Sequence, residues 1–121
     1  MTKAAKTVFY FGLYMILEGS ILLIVPNILL SLVGLPQTQE VWIRIVGMAL
    51  IVLGYYYIKS ALKNFEDFFY WTIPTRIMQF IVLTTFVFLG LVGPVILLFG
   101  AIELISGLWT WRSLVMQKKS K

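Results

Sequence analysis

The chain has neither cysteine nor histidine. That excludes disulfides, thiol redox chemistry and metal sites built from thiolate or imidazole. It also excludes histidine-ligated haem, the usual redox group of four-helix membrane bundles, so neither a metal nor a cofactor is expected. Charge is scarce as well. Charged residues make up 12% of the sequence, against roughly 25% in a soluble domain. No P-loop, G-x-S-x-G or H-E-x-x-H pattern occurs. Hydrolysis by a carboxylate pair would need two acids flanking an accessible substrate, and nothing in the spacing indicates this. No catalytic residue is assigned, and enzymatic activity is not expected.

What the chain does have is apolar length. Of its 121 residues, 60% are hydrophobic, and the mean hydropathy is +0.94. One small aqueous core could not hide that much apolar surface. Four runs, at about 7–25, 41–59, 75–92 and 95–114, approach the roughly 20 residues needed to cross a bilayer. The expected fold is an all-α integral membrane protein: one domain over 1–121, with four transmembrane helices in an antiparallel bundle. M-T-K-A-A-K would serve as a basic secretory leader. However, the first run is long for such a segment, Glu18 interrupts it, and no A-x-A-like site follows, so it is expected to remain as the first span.

The formal net charge is +5, which raises the question of nucleic acid. The distribution argues against that partner. Lys3, Lys6, Lys59, Lys63, Arg76, Arg112, Lys118, Lys119 and Lys121 fall on one side of the expected spans, and Arg44 alone falls on the other. Such asymmetry marks the cytoplasmic side. Both termini are therefore expected in the cytoplasm, with the protein in the inner membrane of a prokaryote. Tyr55, Tyr56, Tyr57, Trp71, Trp109 and Trp111 would form an inner aromatic belt, and Trp42 an outer one. The loop at 26–40 is too apolar, up to Gly34-Leu35-Pro36, for a solvated segment. Asn27 to Val33 is expected to lie in the interface or to fold back over the bundle as a lid. The segment 59–71 reads as a short interfacial helix continuing the second span, with Pro74 in the first turn of the third.

Glu18 and Glu103 lie inside apolar runs. A carboxylate in a membrane span is a functional candidate by default, because it is costly there unless protonated or paired. By helical rise Glu18 lies roughly 10 Å, and Glu103 roughly 12 Å, from the outer end of its span. Arg44 starts nearer that end and can reach inward. It shares a helical stripe with Gly47, Ile51 and Gly54, while Glu103 shares one with Gly100 and Gly107, and glycine stripes mark close helix contacts. Arg44 is thus expected to pair with one or both acids. Tyr14, one turn before Glu18, can donate to it. Arg76 is expected to snorkel to headgroups at the inner end. Two acids around one guanidinium carry net −1, which low-dielectric surroundings disfavour. The candidate ligand or proton site is Glu18, Arg44, Glu103 and Tyr14.

Pro26 closing the first span, the Gly34-Leu35-Pro36 loop, and Arg44-x-x-Gly47 with Gly54 are similar to the DoxX-like superfamily of small four-span membrane proteins. The resemblance covers about half the chain and implies a four-helix bundle. Some members are small subunits of quinone-linked oxidoreductases. The resemblance carries no site residue across.

Four functions compete, one of them a redox subunit that would have to borrow its metal from a partner. The cluster would bind a small molecule or membrane lipid in the outer half of the bundle. Alternatively, the chain would be a proton-coupled small-molecule transporter acting as a homodimer. Or it would be an accessory subunit of a membrane complex, its charges purely structural.

Overall fold

The computed structural model describes residues 1–119. The described residues form helices joined by short turns. Helix α1 (Lys3–Ile24) is capped by Thr2, whose Oγ1 accepts from the Ala5 amide at 3.1 Å. The same hydroxyl donates to Asn64 Oδ1 at 2.9 Å. A residue preceding proline is pushed out of the helical region. Val25, at φ −133° and ψ 63°, accordingly ends α1, and Pro26 opens the short α2 (Pro26–Leu32) from its first turn. Leu30 and Val33 are buried, and Leu22, Leu30 and Ile43 form one apolar cluster. The apolar loop thus folds back over one end of the bundle, as one of the two sequence alternatives had it.

Helix α3 (Trp42–Leu62) stops in a Schellman motif. Phe65 N–H reaches Ser60 O at 3.0 Å, Asn64 N–H reaches Ala61 O at 3.1 Å, and Asn64 takes φ 53°. Asparagine tolerates this left-handed geometry better than most residues. Helix α4 (Glu66–Phe88) follows at once. Glu66 and Asp67 occupy its first turn, where carboxylates are favoured by the helix dipole. The expected interfacial helix is therefore not a separate element, and the helix that carries the third apolar run begins at Glu66. Pro74 lies inside α4, not in its opening turn. It deprives the Tyr70 carbonyl of its donor, a defect membrane helices tolerate when neighbours pack around them. The turn at Asn64 sets this register, and its consequence for Arg76 follows below. A second Schellman closure at Gly90 (φ 75°) ends α4. A 3₁₀ turn at Pro94–Ile96 then leads into α5 (Leu97–Lys119).

Helix α1 is the organising element. It packs along α3 on one side and against α4 and α5 on another, while α4 and α5 also pack together. Ala4, Ala5, Val8, Phe11 and Met15 of α1 form the main core with Tyr57, Ala61, Phe69 and Leu114. The α1–α3 seam closes on glycine. A Cβ added to Gly19 would sit 2.5 Å from Gly47 O, and one added to Gly54 2.8 Å from Gly12 O.

The outer surface is apolar. Leu17 is 62% exposed, Leu98 and Ile105 65%, Ile24 67% and Phe88 86%. The largest fully buried side chain is Arg76, with Thr7 and Thr110 beside it in the same class. A soluble domain shows the reverse arrangement. The helices Lys3–Ile24, Trp42–Leu62 and Glu66–Phe88 and the stretch Pro94–Lys119 are long and apolar enough to cross a membrane. These features fit a small membrane protein.

Candidate functional site

Tyr14 and Glu18 are one turn apart on the face of α1 that also carries Phe11, Met15 and Leu22. The Tyr14 hydroxyl stands beside the Glu18 carboxylate. From α5, Glu103 enters the same region, within electrostatic reach of Glu18 on one side and of Arg76 on the other. Glu18 and Glu103 line one cavity of about 280 Å³, and the remainder of its wall is apolar, including Leu22, Leu30, Val46, Leu50 and Phe99. Helix α2 contributes to this wall through Leu29 and Leu30. Glu103 also borders a second hollow of about 260 Å³ with Met78, Gln79, Val82 and Leu83. Three of the four residues singled out in the sequence thus converge: Tyr14, Glu18 and Glu103.

Arg44 does not join them. It is exposed, and its guanidinium donates to the carbonyls of Leu23 and, at 3.2 Å, Ile24. The reason lies in α1. The helix breaks at Val25 and Pro26, so its last carbonyls lack intrahelical partners, and a basic side chain nearby satisfies them. The glycine stripe did bring Arg44 to α1, but to its rim and not its interior.

The buried cation is Arg76, which is fully inaccessible and therefore does not snorkel. Because α4 begins at Glu66, Arg76 falls in mid-helix. Gly107 on α5 packs beside it, where an added Cβ would lie 3.4 Å from Arg76 Cβ and Cδ, a close but ordinary contact. Nη1 donates to Thr110 Oγ1 at 3.1 Å and to Ser106 Oγ at 3.5 Å. Thr110 and Thr7 share a 2.7 Å hydroxyl contact that joins α5 to α1. The guanidinium carbon lies 4.4 Å from the Phe11 ring centroid and 5.5 Å from that of Tyr57. Such cation–π contacts gain strength when desolvated. The Tyr14 hydroxyl, Arg76 Nε and Nη2 and Glu103 Oε2 are buried without a hydrogen bond of good geometry to any described residue, so the expected donation from Tyr14 to Glu18 is not formed with good geometry.

The sequence carried a signal for this network. Ser106, Thr110 and Ser113 repeat at helical spacing beside Gly107, a polar stripe inside an apolar helix. Thr7 and Phe11 occupy the matching face of α1. Among the described residues, no group of three or more His, Cys, Asp or Glu side chains is placed to hold a metal ion.

Comparisons of the chain with protein-family models, with curated proteins and with solved structures find no match.

Proposed function

We propose that this protein holds a small, mainly apolar molecule in the cavity bounded by α1, α2, α3 and α5, with Glu18 and Glu103 as its polar anchors and α2 as its roof. One observation carries the proposal: both intramembrane carboxylates open onto the same otherwise apolar cavity. Small-molecule sites have this character, an apolar wall with a few convergent polar groups. At about 280 Å³ the cavity lies near the small end of the roughly 300–1,000 Å³ range of such sites. Arg76, tied to Thr110, holds the wall behind Glu103. The similarity to the DoxX-like superfamily belongs with this proposal, as does residence in a prokaryotic inner membrane. A second reading, a proton-coupled carrier acting as a dimer, draws on the same two acids, of which Glu103 is within electrostatic reach of the buried Arg76.

The test uses 1-octanol and protein in nanodiscs, with protein-free nanodiscs subtracted. Wild type is expected to bind octanol saturably by calorimetry. Val46→Trp, which fills the cavity from α3, is expected to weaken binding at least tenfold while keeping the helical content. Equal octanol affinity in the two proteins would overturn the cavity as the site.

The proposed arrangement is antiparallel with both termini in the cytoplasm. Lys3 and Lys6 at the start of α1, Lys59 and Lys63 at the end of α3, and Lys118 and Lys119 at the end of α5 support it. The pairing of Gly12 with Gly54 and of Gly19 with Gly47 also supports opposite directions for α1 and α3. In intact cells, an impermeant thiol reagent should label Gln39→Cys and spare Lys118→Cys. The opposite pattern would invert the topology.

A further inference from the structure

We propose that the cavity selects for positive charge: its ligand is a single-chain lipophilic amine whose ammonium sits between Glu18 and Glu103 and whose chain lies among Leu22, Leu30, Val46 and Leu50. The proposal rests on the cavity being a ligand site, and it adds the ligand's chemical class.

The charges around the cavity are one-sided. Its charged wall residues are both carboxylates. Arg44 is held outside, on the carbonyls that end α1. Arg76 is fully buried and bound to Thr110 and Ser106, and of the two acids it is coupled to Glu103. Arg76 therefore reaches one carboxylate, and an ammonium in the cavity is the group that would pair with the other in its ionised form. An ammonium fits this need. It carries three donors and no acceptor, so it suits a cavity whose two polar wall groups, Glu18 and Glu103, are both acceptors when ionised. A primary alkylamine, like lysine with its pKa near 10.4, is charged at neutral pH. A carboxylate head would face two like charges, and an alcohol would leave the charge unbalanced.

A volume of about 280 Å³ accommodates one short chain. The wall matches that chain, being apolar apart from the two acids.

The experiment compares octylamine, 1-octanol and octanoate, which share one chain and differ in head charge. Each is titrated calorimetrically into zwitterionic nanodiscs carrying wild type, Glu18→Gln or Glu103→Gln, with protein-free nanodiscs subtracted. Octylamine is expected to bind wild type at least tenfold more tightly than octanol, and octanoate at least tenfold more weakly than octanol. Glu18→Gln is expected to cut the amine preference, the ratio of octylamine to octanol affinity, below threefold, with helical content by circular dichroism reporting an intact fold. Glu103→Gln is expected to reduce the preference less, because it leaves Glu18 available. Equal affinity of wild type for amine and alcohol would overturn selection for charge and leave the cavity as a site. Absence of binding by all three would overturn both proposals. An amine preference that survives in both variants would overturn the assignment to these carboxylates.

Discussion

Arg76→Ala is expected to lower the stability of the detergent-solubilised protein by about 3–5 kcal/mol, the usual consequence of removing one partner from a buried charged network. Arg44→Ala is expected to shift the melting temperature far less. Arg76 is fully inaccessible, donates to Thr110 and Ser106, and stacks over Phe11 and Tyr57. Its removal takes a donor from Thr110 and Ser106, opens a void in the core and leaves Glu103 without a nearby cation. Arg44 is exposed and bonds only backbone carbonyls that water or headgroups can also satisfy. Arg76→Lys keeps the charge but loses the planar group that stacks on two rings, so it should fall between wild type and Arg76→Ala. Thermal melts of the three variants decide the matter. Equal shifts for Arg76→Ala and Arg44→Ala would contradict the placement of Arg76 in the core.

The second large effect is expected at the α1–α3 seam. A Cβ on Gly47 would lie 2.6 Å from Gly19 O and 2.7 Å from Leu23 N, and one on Gly19 2.5 Å from Gly47 O. These are backbone atoms, so relief requires the helices to move apart and not a side chain to turn. Overpacking of this kind costs roughly 1–3 kcal/mol, occasionally more, and Gly47→Val should lie at the upper end because it also crowds Leu22. Gly93→Ala provides the control, since its added Cβ meets nothing within 4 Å. Gly100→Ala meets the Phe80 ring at 3.1 Å, a side chain that can give way, and should be mild. Melting temperatures near wild type for Gly47→Val would contradict the close seam.

Helix number and the acids were legible in the sequence because both depend on local pattern. Four apolar runs of spanning length give four apolar helices, and a carboxylate in such a run must face protein. The glycine stripe through Gly47 and Gly54 marked a closely packed face of α3 without naming its partner, because Gly12 and Gly19, spaced seven apart on α1, carried the matching half unread. The identity of the buried arginine was not legible in the same way. It depends on where α4 begins, and that is set by the Schellman turn at Asn64 and by a proline tolerated inside the helix. Reading Pro74 as a helix start placed Arg76 at the membrane edge, and eight further residues of helix before the proline move it into the core. Arg44 was misplaced for the complementary reason, since the break at Val25 leaves carbonyls that hold it at the rim. Hydrophobic pattern reports which residues are buried against something. It does not report which helix ends need a donor.

The most direct measurement of the ligand cavity is photolabelling with a short alkyl diazirine bearing a primary amine, in bilayers, followed by mapping of the modified residues by mass spectrometry. Leu22, Leu30, Val46, Leu50 and Phe99, which line the cavity, are expected to carry the label together with Glu18 or Glu103. Excess octylamine and the Val46→Trp substitution should each remove it. Labelling confined to the outward-facing Leu17, Leu98 and Ile105, unchanged by competitor or by Val46→Trp, would show a probe dissolved in lipid and contradict the cavity as a binding site.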